Sequence, residues 1–367
     1  MFESGPKQEL PTGEAKKLGE LVSRKWQEHL LLFSRVKNRV LGVNPDIYIP
    51  LKLEEGKSSP LGLFAEASLK RNPGVIPKRK QALEFWPEHQ RSANLGRIIF
   101  GDKQGRIYRD IDLKGIGYVK KESFSSNIGR VLRLGAHTES GRMGLLQEDM
   151  ALFDRQMTEE FLKAGVRTNR VIAVIELEEI IVEGKKISVG EAIKARICEE
   201  DFHPVVEVRA FGTKARVADV LSVIKTGGLT EDQKLLLEDA KKLVSQELGF
   251  QETISGEEYL KWFTKTLGQN MGRMHKKGWL HNYIFNHNIT LDCRIVDFDS
   301  ITKIENEDQI GTEVDNARQV IKELSNLIFG NYSKSTMDLF NENYEKVFPL
   351  KKRDKYFELL ANSPKKL

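Results

Sequence analysis

The chain has 367 residues, 40% hydrophobic and 30% charged, with 58 Lys and Arg against 53 Asp and Glu and a net charge of +5. That is length for two domains or one large two-part enzyme, and the mild positive charge suits an anionic small molecule but lacks the concentrated basic charge of a nucleic-acid binder. No apolar run reaches the roughly 18 to 20 residues of a membrane span and no basic-then-apolar leader opens the chain. The only cysteines, Cys198 and Cys293, are far apart, which excludes a disulfide scaffold and a cysteine zinc site and makes the reducing cytoplasm the default location.

In chain order, Thr12 to Leu41 carries helical spacing (Leu18, Leu21, Val22, Trp26, Leu30, Leu31) and predicts a helix. Asn44 to Gln81, rich in Pro, Gly and Lys and including Lys78-Arg79-Lys80, predicts an irregular surface connector. Arg97-Ile98-Ile99-Phe100, the turn residues Gly101 to Gly105 and the alternating run Arg106 to Lys114 predict a β-hairpin. In its second strand Ile107, Ile111 and Leu113 share one face, while Tyr108, Asp110, Asp112 and Lys114 share the other. Met143 to Ala164 predicts a helix stopped at Gly165, followed by strands over Arg170 to Leu177 and Val205 to Phe211.

The second half is helical. Thr230 to Gln233 and Ser255 to Glu258 both fit a capping box, and the second helix runs to about Lys277. Two further helices are predicted over Glu313 to Phe329 and Ser335 to Val347. A strand-rich half followed by a helix-rich half describes an α+β chain, with expected parts at 1–94, 95–212 and 213–367.

The segment with most chemical content follows the second capped helix. A loop from His281 to Asn288 leads through a tight hairpin at Leu291-Asp292 and an apolar strand, Cys293 to Val296, to Asp297-Phe298-Asp299. An Asn carboxamide and an Asp carboxylate on neighbouring hairpin arms can share one Mg²⁺, with Mn²⁺ as an alternative ion, leaving other positions to water and phosphate. Alone, Asn288 reads as a turn residue and Asp297 as a helix cap; helix, histidine and hairpin together point to metal, as in kinase-like folds. A protein kinase has an aspartate base two residues after the histidine, where this chain has Tyr283, a poor base at neutral pH.

At this point the sequence resembles the selenoprotein O family of kinase-like enzymes that adenylylate proteins. Met274 to His281 and Asn286-His287-Asn288-Ile289 look like that family's "GF-HG-MNTDNMS" region, Asp112 to Gly117 its "LQLKGSG", and Thr158 to Arg170 its "SEAMHALGIPTTRA". Ser140-Gly141-Arg142 stands where the family has "DGR", and Gly96-Arg97 resembles its "GDGR" phosphate turn.

The resemblance implies a protein-kinase-like two-lobed fold with a strand-rich N-lobe and a helical C-lobe. It implies ATP as substrate, with the metal on Asn288 and Asp297, and AMP transfer to a protein hydroxyl; no target protein is identified. Lys114 would grip phosphate and Glu159 would hold that lysine. Arg196 and Arg209 would contact phosphates, a role that suits a permanently charged, bidentate guanidinium, as would Gly141, Arg142, Gly96 and Arg97. The base would be His287, where the family has an aspartate; an imidazole can do that work near neutral pH. The surplus from Tyr118 to Glu139 reads as a surface insertion, and redox regulation through the family's cysteine or selenocysteine tail is not expected. Phosphotransfer and an inactive nucleotide-binding scaffold are the alternatives.

Overall fold

The computed structural model describes residues 30–47, 53–68, 81–84, 92–102, 105–117, 144–182, 185–198, 200–221, 229–331 and 333–349. Two compact units divide the chain, one comprising Met1–Phe153 and Arg170–Gly212, the other Asp154–Asn169 and Thr213–Leu367.

Strands dominate the first unit: β1 (Leu30–Arg35), β2 (Asn38–Val43), β3 (Leu63–Ser68), β4 (Gln81–Glu84), β5 (Ser92–Gly101), β6 (Ile107–Lys114), β7 (Leu146–Gln147), β8 (Arg170–Leu177) and β11 (Pro204–Phe211). They form one sheet in the order β2-β8-β11-β6-β5-β4-β1-β3, with β7 on β11 and every pairing antiparallel. The near-continuous apolar runs of β8 and β11 mark strands buried on both faces, and nearly every residue of both is buried. One face carries the main core, including Phe33, Val40, Leu63, Ile111, Leu113 and Val208. A separate small hairpin, β9 (Glu179–Val182) with β10 (Lys185–Ser188), precedes the short helix α2 (Val189–Lys194).

The predicted hairpin is observed, its turn closed by a hydrogen bond from Gly105 N to Asp102 O of 3.0 Å and an Arg106–Asp102 ion pair of 2.7 Å. The predicted strands at 170–177 and 205–211 are also present. The helix expected over Thr12 to Leu41 is overturned in its described part. Leu30 to Val43 forms β1 and β2, because β3 and β4 claim the first and β8 the second. Cross-strand pairing and the burial of Phe33, Val36 and Val40 outweigh the local period. Residues 12–29 lie outside the described residues, as do Lys78, Arg79 and Lys80. The connector expected from Asn44 to Gln81 contains β3, whose Leu63 and Phe64 enter the core.

Helix α1 (Glu148–Lys163) contributes to both units and stops at Gly165 (φ 85°), as its sequence predicts. The second unit is built on α3 (Val217–Leu221), α4 (Glu231–Glu247), α5 (Gly256–Lys276), the short pair β12 (Trp279–Leu280) and β13 (Thr302–Lys303), α6 (Glu307–Phe329) and α7 (Lys334–Val347). Both predicted capping boxes are formed, Thr230 with Gln233 and Ser255 with Glu258. A third, Asn306 with Gln309, starts α6 earlier than the sequence suggested. Among the described residues no helix is long and apolar enough to cross a membrane.

Helices α5 and α7 approach closely at two glycines one turn apart. A Cβ on Gly268 would lie 2.7 Å from Phe340 O, and one on Gly272 would lie 2.9 Å from Tyr344 O. Gly268→Ala is therefore expected to destabilise by about 1–3 kcal/mol through overpacking, although alanine favours helix. Gly311→Ala on α6, where an added Cβ meets nothing within 4 Å, is expected to raise stability by up to about 1 kcal/mol. Thermal melting of the two variants checks the opposite signs.

Candidate functional site

In the second unit, α5 ends at Lys276, is capped by Lys277, and the chain turns through Gly278 (φ 79°) into the loop that opens at His281. His281 is buried; its Nε2 lies 2.9 Å from Val296 O and its ring edge packs on Phe298 at 5.4 Å. Since a carbonyl only accepts, Nε2 carries the proton, and the histidine ties the start of the loop to the residue before Asp297. The hairpin closes by an Ile289–Ile295 bridge and by Val296 N donating to Asn288 O at 3.1 Å. It is pinned to the segment before α3 by Leu291 N donating to Ala215 O (2.7 Å) and by an Arg216–Thr290 bridge. The predicted strand Cys293 to Val296 is thus present only as isolated bridges.

Asn288 is nine-tenths buried and fixed at both ends of its residue. Its backbone N donates to Phe285 O at 2.9 Å, and its Nδ2 donates to Tyr283 O at 2.9 Å. Its Oδ1 faces Arg216, whose Nη1 lies 3.4 Å away. Asp297 has φ 66° and ψ 64°, a left-handed conformation that Asp tolerates better than most residues. The following turn is anchored by Phe298 N donating to Asp154 Oδ1 at 2.9 Å and by Phe161 against Phe298 at 5.0 Å. Non-glycine residues with positive φ cluster here, at Asn282, Cys293 and Asp297, a pattern typical of functional loops.

The two side-chain oxygens meet one guanidinium. Arg216 Nη2 donates to Asp297 Oδ2 at 2.9 Å, and Nη1 lies 3.4 Å from Asn288 Oδ1 and also donates to His287 O. A carboxamide oxygen and a carboxylate oxygen so converged are the hard donor pair Mg²⁺ or Mn²⁺ takes, and in chemistry these residues fit such an ion. The position between them carries the Arg216 charge. No sequence pattern singles out Arg216, which stands 72 residues from Asn288 and reaches it through bridges between segments. His287 is exposed and stacks on Phe285 at 5.8 Å. Desolvation by the loop, then the Arg216 charge, hold its imidazole below the ordinary value, with Asp297 pulling the other way. Tyr283, the residue at the kinase-base position, is exposed.

A buried network supports the loop from below. Glu313 on α6 accepts from Asn282 N at 2.7 Å and meets His275 Nε2 at 2.7 Å, and His275 Nδ1 meets the Tyr344 hydroxyl at 2.7 Å. Helices α5, α6 and α7 thereby fix the backbone immediately after His281. Glu159, the predicted lysine partner, is half-buried on α1, one residue after Thr158, whose hydroxyl donates to Asp154 at 3.3 Å.

Those of the remaining predicted residues that are described lie in the first unit. Lys114 ends β6 and is buried, on the sheet face opposite the main core. Register places Lys114 opposite Glu207, and Asp112 opposite Arg209, with Ser92 and Asn94 of β5 alongside. The Arg209 guanidinium is committed to Asp112, Nε to Oδ1 at 2.9 Å and Nη2 to Oδ2 at 2.8 Å, and lies over Phe211. Gly115 follows with φ 92°, and a Cβ there would collide with Val205 O, so the chain can leave β6 this close to β11 only at a glycine. Arg196 is exposed in the turn after α2, with φ 57°. Gly96 and Arg97 belong to β5; Gly141 and Arg142 lie outside the described residues. Separately, Glu148, Glu176 and His203 bring donor atoms within 4.8 Å of one another, but Glu176 already pairs with Arg39 at 2.6 Å.

No family model matches the chain, and no curated protein does. Among solved structures, the crystal structure of the kinase domain of a Toxoplasma gondii specific rhoptry antigen aligns over 77% of this chain and 82% of its own, at 10% identity and a TM-score of 0.33. So loose an overlap carries no inference about activity.

Proposed function

We propose that this chain is a kinase-like protein that binds ATP and transfers AMP to a serine, threonine or tyrosine hydroxyl of another protein. The observation that carries the reading is that Asn288 Oδ1 and Asp297 Oδ2 both face the Arg216 guanidinium, on a hairpin closed by backbone pairing and tethered by His281. An α+β chain with a strand-rich unit and a helical unit is the architecture this reading requires. A divalent ion at Asn288 and Asp297 would neutralise phosphate charge, as is general for phosphate chemistry.

In the proposed reaction the acceptor hydroxyl oxygen bonds to the α-phosphorus and the bond from that phosphorus to the bridging oxygen breaks. Pyrophosphate leaves, and the hydroxyl proton passes to His287, the imidazole beside Asn288. Within the first unit, Arg209 is a weak candidate for a phosphate contact, since Asp112 already takes both ends of its fork. A second reading, a nucleotide-binding scaffold without turnover, is favoured by Tyr283 at the kinase-base position and by Arg216 between the two oxygens.

Incubation of the full chain with cell lysate and Mg²⁺, using α-labelled and γ-labelled ATP in parallel, separates the readings. Label on protein from α-labelled ATP alone is the expected result, and His287→Ala is expected to retain nucleotide binding and stop that transfer. Label from γ-labelled ATP alone means phosphotransfer. Nucleotide binding without label means the scaffold, and failure to bind nucleotide overturns the proposal.

A further inference from the structure

Arg216 is absent from the chemistry just described, yet it contacts both candidate ligands. Its backbone is fixed: Arg216 N donates to Asp219 Oδ2 at 2.7 Å, and the residue bridges to Thr290. Only the side chain is therefore available to move. Its Nε is buried and makes no hydrogen bond among the described residues, and the far end of the guanidinium is held on Asp297 Oδ2, Asn288 Oδ1 and His287 O. A group that spans two oxygens suited to a cation, and carries a permanent charge, already supplies what a dication would supply there. For the ion to enter, the pair at 2.9 Å must break, and Arg216 must find other acceptors or remain a partly buried, uncompensated charge.

Building on the nucleotide-binding reading above, we propose that Arg216 is the resident cation of this site, and that its guanidinium competes with a free divalent ion for the Asp297 and Asn288 oxygens. The site thus binds a metal ion alone only weakly. Phosphate oxygens are the acceptors that release it, since a guanidinium binds them as well as it binds a carboxylate.

The test uses Mn²⁺ alone, with binding to the full chain read from the paramagnetic resonance signal of the free ion. Arg216→Gln is expected to bind Mn²⁺ about tenfold or more tightly than the wild type, within the usual range of coupling between sites. The double variant Arg216→Gln, Asp297→Asn is expected to lose that gain. Arg216→Lys, which keeps a charge but not the fork, is expected to fall between and carries the test if the glutamine variant does not fold. Equal Mn²⁺ affinity in wild type and Arg216→Gln, abolished by Asp297→Asn, overturns the competition and leaves the metal pair standing. No Mn²⁺ binding in any folded form overturns the competition together with the metal pair. ADP affinity without metal, measured on the same samples, tests nucleotide binding separately.

Discussion

Asp292→Ala is expected to destabilise the second unit by about 3–5 kcal/mol, the cost of stripping one partner from a buried ion network. The carboxylate lies under the hairpin that carries Asn288 and Asp297, fully buried with Arg294. Arg294 Nε reaches Asp292 Oδ2 at 2.6 Å, Arg294 Nη2 reaches Glu247 at 3.3 Å, and Arg167 bonds Glu247 at 2.7 Å and Asp292 Oδ2 at 3.5 Å. Thr290 donates to Asp292 Oδ1 at 2.6 Å, and Arg294 Nη1 donates to Thr168 O at 3.0 Å. Among these four described groups two guanidinium groups face two carboxylates, and removing Asp292 leaves an excess of positive charge on them. The unfolding midpoint measures the cost. Hydrogen exchange across 288–297 is expected to quicken at the same time, because the turn loses its centre.

The same group gives the network a pH dependence. Burial by itself would raise the Asp292 pKa, but the charges of Arg294 and Arg167, with hydrogen bonds from Thr290 and Arg294, hold the carboxyl below its ordinary value. A folded pKa below the unfolded one contributes stability that is present above the unfolded value, near 3.8, and is lost as pH falls through the folded value. Asp292→Ala lacks this acid-labile part. The stability gap between wild type and variant is therefore expected to narrow as pH drops below about 4. A gap that stays constant with pH would show that Asp292 is not held ionised by its arginines.

What the sequence made readable was local. Thr230 with Gln233 and Ser255 with Glu258 announce α4 and α5 because a capping box is complete within four residues. The route from His281 through the hairpin to Asp297 is legible for the same reason: loop, turn and strand are contiguous. Partners far away in sequence were hidden. Leu30 to Val43 has a helical period, and only β3, β4 and β8 make it strand. Alternation in β6 separates Asp110, Asp112 and Lys114 from the apolar residues, which suggests a wet face, yet all three are buried. The register that sets Arg209 opposite Asp112 decides what that arginine does, and register is a tertiary property. Arg216 gave no signal, because its position depends on bridges to the loop rather than on any pattern around it.

Asp297→Ala is expected to abolish the metal-dependent part of ATP binding, the second large effect. Asp297 Oδ2 is the charged member of the oxygen pair, and an ion binding few protein ligands loses most when a carboxylate among them goes. The substitution also touches the backbone: at φ 66° alanine costs roughly 1–2 kcal/mol in the left-handed region, which Asp and Asn tolerate better. Asp297→Asn and Asp297→Gly separate the two effects, the first removing the charge and the second relieving the backbone. All three variants are expected to bind ATP equally with and without Mg²⁺, whereas the wild type gains affinity on adding it; only the alanine variant is expected to melt markedly lower. Asp297 also holds Arg216, so its loss frees that guanidinium for phosphate, and metal-free ATP binding is expected to persist or strengthen. Mg²⁺-dependent binding surviving in Asp297→Asn and Asp297→Gly alike would remove the carboxylate from the ion's ligands, and with it the reason to read this hairpin as a nucleotide site.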